Sequence, residues 1–274
     1  MSFFSLSAVR GCERVRAIPV SSILTVHSRF ERSCNLVSCQ GEWLTLLVCD
    51  MPLPPAGVVL ATRQLPDALQ PGSSWRWCGS TLQGGDGEIA LTGCRWHSTC
   101  LTGERTLGTT LLSALDHFLV QNPPAGGFLA QWHGKDRDYL TASLAMLGNG
   151  LRGREDELTP ALISLLGYGH GLTPSGDDFL LGVLFALENQ AHPCRDELIV
   201  VLSSLLGRTT DISAAMLRLG AAGHYGERLL QLAAARGDDI FTAIEQVADY
   251  GHSSGHDMLC GVRYALNLAR ERAR

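Results

Sequence analysis

The sequence predicts an α+β protein, with a small N-terminal β-barrel or sandwich-like domain over residues 1–103 followed by an all-α helical domain over residues 104–274. Two observations carry this reading. The first hundred residues are rich in Val, Thr, Trp and Cys, are cut by Pro and Gly, and contain short alternating runs. From Arg105 onward the period changes, and Leu107, Leu111, Leu112, Leu115, Phe118 and Leu119 recur at helical spacing. The shift in composition near residues 100–104 sets the boundary. With 274 residues, 45% of them hydrophobic and 18% charged, each domain can bury its own core without disulfides or metal.

The strands expected in order are Ala17–Val26, Asn35–Ser38, Trp43–Cys49, Gly57–Ala61, Ser74–Cys78 and Ile89–Trp96. Turns at Pro52-Leu53-Pro54-Pro55 and Gly84-Gly85-Asp86-Gly87 separate some of them. Helices are expected near 105–121, 137–148, 156–167, 175–190, 195–207, 211–222, 226–236, 238–250 and 255–272, with Pro123-Pro124, Pro174 and glycine-rich joints between them.

Charge and cysteine usage narrow the function classes. The net charge of −5 has acids and bases mixed along the chain and lysine nearly absent, which argues against a nucleic-acid surface. Phe3 to Val9 is an apolar start broken by serines and followed by Arg10, so it lacks the core of a signal peptide, and no segment reaches membrane-spanning length. Nine cysteines scattered from Cys12 to Cys260 fit reduced thiols in a cytoplasmic protein. The close pair Cys34 and Cys39 has no second pair at zinc-site spacing, so no structural metal is expected.

Two segments stand out. Ser175-Gly176-Asp177-Asp178-Phe179-Leu180-Leu181-Gly182 and Ser254-Gly255-His256-Asp257-Met258-Leu259-Cys260-Gly261 share Ser-Gly-x-Asp, three apolar residues and Gly, and a Gly-His pair precedes each. Both read as capping boxes, in which the serine accepts a backbone N–H and the aspartate three residues later reaches back. Gly182 and Gly261, two turns into their helices, allow two backbones to cross closely. A capping box alone contributes roughly 1 kcal/mol and needs no function. The surplus needs more: Asp177 beside Asp178, His252 and His256 around the second cap, and hydroxyls with bare backbone N–H groups in Gly171-Leu172-Thr173-Pro174-Ser175. Two helix N-termini of this kind, facing each other, suit a small doubly anionic ligand.

With Asp178 and Asp257 committed to their caps, Asp177 is left as a base, or as an oxygen ligand for Mg²⁺. His252 is the acid/base candidate among the histidines; His170 packs against its loop, and His117, His192 and His224 sit in ordinary contexts. A third polar helix start, Arg208-Thr209-Thr210-Asp211-Ile212-Ser213, either adds Arg208 and hydroxyls to the same pocket or is a simple cap by Thr210 or Asp211.

Gly171-Leu172-Thr173-Pro174-Ser175-x-Asp177-Asp178, taken with Gly251-His252-x-Ser254-Gly255-x-Asp257-x-Leu259-x-Gly261, resembles the AllH-like family. The segment with Arg208, Thr210, Ser213, Leu217 and Ala221 is similar to the family's middle motif, so the resemblance covers roughly residues 160–265, with a weaker match over the strand region. It implies a subunit of oxamate carbamoyltransferase, which acts with FdrA-like and AllG-like subunits in anaerobic allantoin and purine breakdown. The implied reaction converts carbamoyl-oxamate and phosphate to oxamate and carbamoyl phosphate. On that basis Thr173, Ser175 and the N–H groups around Gly176 hold phosphate or carboxylate, Ser254 and Gly255 hold the second anionic group, and Asp177 and His252 move protons. Gly171, Asp178, Arg208, Thr210, Ser213 and Asp257 complete the substrate-binding set, and no cofactor is required. His170 and Gly176 stand where other members carry different residues, so neither is expected to be catalytic.

The competing expectation is a non-catalytic anion-binding or scaffolding subunit. There is no Ser-His-Asp order, no Gly-x-Ser-x-Gly elbow and no reactive cysteine motif. A phosphotransferase is less supported still, because no Gly-x4-Gly-Lys loop is present.

Overall fold

The computed structural model describes residues 3–102, 107–124 and 126–272, and the chain divides into two compact units, Met1–Cys100 and Leu101–Arg274. The boundary expected at 103/104, like the first residues of the helix expected from 105, lies outside the described residues.

The first unit is built from β1 (Phe4–Cys12), β2 (Ile23–Arg29), β3 (Ser33–Ser38), β4 (Trp43–Leu47), β5 (Gly57–Leu60), β6 (Ser74–Trp77), β7 (Thr81–Gly84), β8 (Gly87–Ala90) and β9 (Arg95–His97). The first eight close into a barrel in the order β5-β4-β3-β2-β6-β7-β8-β1 and back to β5. The long strand β1 makes closure possible. It pairs antiparallel to β5 through Ala8 and Leu60, and parallel to β8 through Leu6 and Ile89. Where β8 ends, β9 continues the same side of β1, with Gly11 opposite Trp96. Closure satisfies the backbone groups that an open sheet leaves at its edges. Alternation fills the interior: β6 exposes Ser74 and Arg76 while burying Trp75 and Trp77 against Leu24, Leu36, Leu44, Leu46 and Leu60.

Three strand expectations need correction. Phe3–Val9, read only as a broken apolar start, lies largely within β1, because its serines alternate with apolar residues as a half-buried strand requires. The strand expected from Ala17 begins only at Ile23, since Glu13–Ala17 form a 3₁₀ turn and Ser21 takes φ +75°. The run Ile89–Trp96 splits into β8 and β9 at a turn closed by Cys94 N–H donating to the Leu91 carbonyl at 3.0 Å. The expected Gly84–Gly87 turn is present, and its two central residues join β8 to the unexpected β7.

The second unit contains, among the described residues, ten helices: α1 (Thr109–Gln121), α2 (Gly127–His133), α3 (Arg137–Leu151), α4 (Glu155–Leu165), α5 (Ser175–Asn189), α6 (Arg195–Leu205), α7 (Asp211–Ala221), α8 (Glu227–Ala234), α9 (Asp239–Ala248) and α10 (Ser254–Arg272). Nine of them overlap the expected segments. Helix α2 was not expected, being only seven residues long and starting at Gly127 with φ +84°. Helix α5 is buried without interruption from Ser175 to Leu187, the mark of a helix enclosed on all sides. Its neighbours are α10, α7, α2, α4 and α6. Phe128 of α2 stacks on Phe179 of α5 with ring centroids 4.3 Å apart. All nine cysteines are unpaired, and burial pushes the Cys34 and Cys260 thiols up to about 12, where they stay protonated and unreactive at neutral pH.

Helices α5 and α10 cross at their backbones. A Cβ built on Gly182 would lie 2.0 Å from the Met258 carbonyl oxygen, and one on Gly261 would lie 2.0 Å from that of Phe179. Any side chain at either position must therefore push the helices apart. Gly182→Ala and Gly261→Ala should each cost about 1–3 kcal/mol in urea unfolding, as overpacked cores do. Gly207→Ala, where a Cβ meets nothing within 4 Å, should be close to neutral. Equal stability of Gly182→Ala and Gly207→Ala would show that the crossing relaxes at no cost.

Candidate functional site

The crossing is built from a repeated unit. In the first half α4 leads through Tyr168-Gly169-His170 into α5; in the second, α9 leads through Tyr250-Gly251-His252 into α10. Gly176 N–H donates to the Tyr168 carbonyl at 2.8 Å, and Gly255 N–H donates to the Tyr250 carbonyl at 2.9 Å. Gly169 and Gly251 both take positive φ, +108° and +65°, to turn the chain into the next helix. A Cβ on Gly176 would overlap the Leu165 carbonyl at 2.0 Å, and one on Gly255 would overlap the Val247 carbonyl at 1.9 Å. The halves differ in the joint: Gly171–Pro174 separates His170 from Ser175, whereas Ser253 alone separates His252 from Ser254.

The serines and aspartates of the two motifs pair across the crossing rather than within their own helices. The hydroxyls of Ser254 and Thr173 hydrogen-bond the Asp178 carboxyl, and the Ser254 and Thr173 hydroxyls lie 3.1 Å from each other. Reciprocally, the Ser175 hydroxyl bonds Asp257, whose Oδ1 also accepts the Phe128 N–H at 2.7 Å. The expected capping boxes are therefore not formed. Pro174 is the N-cap of α5 and no side chain caps it, so Ser175 is already helical and its hydroxyl turns to the other helix. Asp257 acts instead as a tertiary cap for α2, where Gly127 leaves room for it: a Cβ there would lie 2.5 Å from Asp257 Oδ1.

The division of labour assumed between Asp177 and Asp178 is reversed. Asp177 is 2% exposed and has both oxygens engaged: Oδ1 accepts the Gly167 N–H at 2.9 Å, and Oδ2 accepts the Thr209 hydroxyl. It pins the loop before α5 to the start of α7. Asp178 is the less committed carboxyl, 6% exposed and with Oδ2 buried and lacking a hydrogen-bond partner. Desolvation raises its pKa to about 8; the Ser254 and Thr173 hydroxyls oppose that shift, while Asp257 and Asp177 reinforce it. Asp257, 0% exposed and likewise carrying an unpartnered Oδ2, is raised by burial to about 6.

The remaining candidates are spread more widely. Gly171 and Arg208 are exposed, and Thr210 caps α7 by accepting the Ser213 N–H at 3.1 Å while donating to the Leu172 carbonyl at 2.6 Å. The simple capping reading of that third motif is thus realised, although it also fastens the first loop. His170 and His252 are both exposed in their joints. His256 stacks on Phe118 at 5.9 Å, its Nδ1 is buried without a hydrogen-bond partner, and burial lowers its pKa. Among the described residues, no group of three or more His, Cys, Asp or Glu is arranged to hold a metal ion.

Sequence reasoning missed Gly167, a donor that holds Asp177, and Gly127 and Phe128, which seat Asp257, while Thr209, the other donor to Asp177, lies in the third motif, whose hydroxyls were one of its two expected roles. It also missed Tyr250 and Arg228. The Tyr250 phenol has Asp178 and Arg228 as charged neighbours, and Arg228 Nη1 is buried without a partner. The signal for Tyr250 was the duplicated Tyr-Gly-His; Arg228 left none in its spacing.

The chain is thus a closed β-barrel followed by a helical unit in which buried carboxyl groups gather where two repeated helix starts meet, and that junction is its candidate site. Residues 7–96 match the AllH family N-terminal domain, and residues 165–266 match the family described as oxamate carbamoyltransferase subunit AllH. The chain belongs to the AllH family. The family is one of carbamoyltransferase subunits, so the chain is a component of a complex with other subunits. No solved structure matches it, and no described helix is long and apolar enough to cross a membrane.

The Asp178 carboxyl makes stability depend on pH. Between about pH 4 and 8 the folded protein keeps a proton that the unfolded chain has released, so raising the pH through this window penalises the folded state, by at most about 1.4 kcal/mol per pH unit. Facing it are Asp257 and Ser254 from α10, Thr173 and Asp177 beside it, and Tyr250 before α10. Asp178→Asn should therefore gain stability relative to wild type as pH rises from 5 to 8 and level off above that, measured by urea unfolding. A difference that stays constant with pH would mean that Asp178 is ionised throughout.

Proposed function

We propose that this chain is a subunit of the complex that converts carbamoyl-oxamate and phosphate to oxamate and carbamoyl phosphate in anaerobic allantoin and purine breakdown, in the cytoplasm, with FdrA-like and AllG-like partners. The family match makes the chain a carbamoyltransferase subunit. The observation that carries the reading further is the Asp178 carboxyl, protonated by burial at the meeting of two helix N-termini and surrounded by hydroxyls. An ionised carboxylate there would repel phosphate and oxamate, whereas a neutral one donates a hydrogen bond to them.

The chemistry asks for such a donor. A phosphate oxygen attacks the carbamoyl carbon, the bond from that carbon to the oxamate nitrogen breaks, and this nitrogen must gain a proton as the phosphate loses one. On this reading Asp178 supplies that proton, and His252, exposed in the joint before α10, exchanges it with solvent. Thr173, Ser175 and Ser254 line the helix starts where developing negative charge is favoured, whereas the Gly176 and Gly255 N–H groups expected to share this task are already given to the Tyr168 and Tyr250 carbonyls. Asp177 then positions the loops rather than acting as the base, because its oxygens already accept from Gly167 and Thr209. The full internal engagement of Asp177 also favours a second reading, a non-catalytic subunit whose junction completes a partner's site for this or another small carboxylate.

The two readings separate in phosphate-dependent carbamoyl phosphate formation by the co-purified complex. If catalysis lies in this chain, Asp178→Asn should lower kcat roughly 100-fold or more in an assembled complex, the usual scale for losing a general acid, with His252→Ala less affected. Asp177→Ala should lower the melting temperature as well as activity. Wild-type kcat in an assembled Asp178→Asn complex assigns the chemistry to another subunit.

A further inference from the structure

The two halves of the repeat place a tyrosine at the same position, and its surroundings differ. In the first half the Tyr168 hydroxyl donates to Asp136 Oδ2 at 2.7 Å, and its ring stacks on Tyr139 at 5.8 Å. That tyrosine is satisfied by a carboxylate from the loop before α3. In the second half Tyr250 is 37% exposed, and its hydroxyl has no hydrogen-bond partner among the described residues. Its charged neighbours are Asp178 and a cation, Arg228.

Arg228 stands in the first turn of α8 with its side chain 24% exposed. Nη2 reaches Asp249 Oδ2 at 3.3 Å, and that carboxylate is 81% exposed. An exposed pair of this kind is weak and easily exchanged. Nη1, by contrast, is buried and has no partner, a costly state for a guanidinium nitrogen that a bound anion relieves. A carboxylate set between Arg228 Nη1 and the Tyr250 hydroxyl repeats in the second half what Asp136 does for Tyr168 in the first.

We propose that Arg228 and Tyr250 form a subsite for the carboxylate of a small anionic substrate, beside Asp178. Under the reading of the previous subsection, on which the choice of oxamate rests, this subsite holds the oxamate carboxylate and leaves the amide end toward the hydroxyls of Thr173 and Ser254. Arginine suits the task because its planar fork can grip both carboxylate oxygens, which lysine cannot.

The test is calorimetric titration of oxamate into the assembled complex, with carbamoyl phosphate formation measured on the same samples. Arg228→Gln should weaken oxamate binding roughly tenfold or more, as expected on losing a charged hydrogen-bond donor. Arg228→Lys should fall between the two, and Tyr250→Phe should weaken binding several-fold. Arg154→Gln, an exposed residue of the loop before α4 paired with Glu157, should bind like wild type. Tyr250→Phe removes one oxygen and keeps the ring, so it tests the subsite even if Arg228→Gln proves unstable. Unchanged affinity in Arg228→Lys and Tyr250→Phe, or no oxamate binding by the wild-type complex, overturns the subsite. A wild-type complex that binds oxamate through Arg228 yet forms no carbamoyl phosphate upholds the subsite and sinks the proposed reaction instead.

Discussion

Helices α5 and α10 touch backbone to backbone, with Gly182 on the Met258 carbonyl and Gly261 on that of Phe179, and the rest of the helical unit is arranged to allow it. At that separation Ser175, Asp177 and Asp178 of α5 and Asp257 of α10 are buried away from water. Their partners come from inside the protein. Ser254 serves Asp178, Ser175 serves Asp257, and the third carboxylate, Asp177, draws in the Gly167 N–H and the Thr209 hydroxyl. The carboxylates thereby organise their surroundings. Asp177 fastens the start of α7 to the loop before α5, and Asp257 receives the Phe128 N–H of α2, whose ring then stacks on Phe179. A wider crossing, held apart by larger residues at these two positions, would have needed none of this.

Two opposing electrostatic effects act on the carboxyls, and their sizes decide the outcome. A helix N-terminus favours a negative charge by up to about 2 kcal/mol in partly buried settings. Moving Asp178 from an ordinary carboxylate value of 3.8 to about 8 corresponds to several kcal/mol in the other direction. Burial wins at Asp178, helped by the neighbouring Asp257. At Asp257 the Phe128 N–H and two hydroxyls recover more of the loss, and the rise stops at about 6. Burial thus raises both carboxyls of the pair, and Asp178, with fewer donors and two carboxylate neighbours, is raised further than Asp257.

Much of this was legible in the sequence because it is written in local period. The change from alternating to helical spacing near residue 100 divides barrel from helices, and the spacing of Gly182 and Gly261 from their serines announces the crossing. What escaped has non-local causes. Ser-Gly-x-Asp is the same pattern whether its serine caps its own helix or reaches another, and only the geometry of the second helix decides. Helix α2 lacks sequence signals because its cap is Asp257, 129 residues away from Phe128. Strand β1 was discounted because Phe4–Cys12 gains its stability from β5 and β8, each brought to it by closure of the barrel. Asp177 looked free for the same reason: its partners Gly167 and Thr209 come from both sides of it in the chain.

The repeat supplies a frame, and chemistry belongs where the frame is broken. Contacts common to both halves, Gly176 on Leu165 and Gly255 on Val247 or the two Tyr-Gly-His turns, are what any stable pair of crossed units needs. They stabilise the fold without singling out a ligand. The departures do otherwise. Gly171–Pro174 lengthens one joint only and brings Thr173 to Ser254, while the carboxylate that satisfies Tyr168 gives way, beside Tyr250, to an arginine with an open nitrogen. One side of the junction thus closes on itself with internal hydrogen bonds. The other keeps a neutral acid, a cation and an unpaired phenol within one neighbourhood, a set that a small anion completes and the protein's own side chains do not.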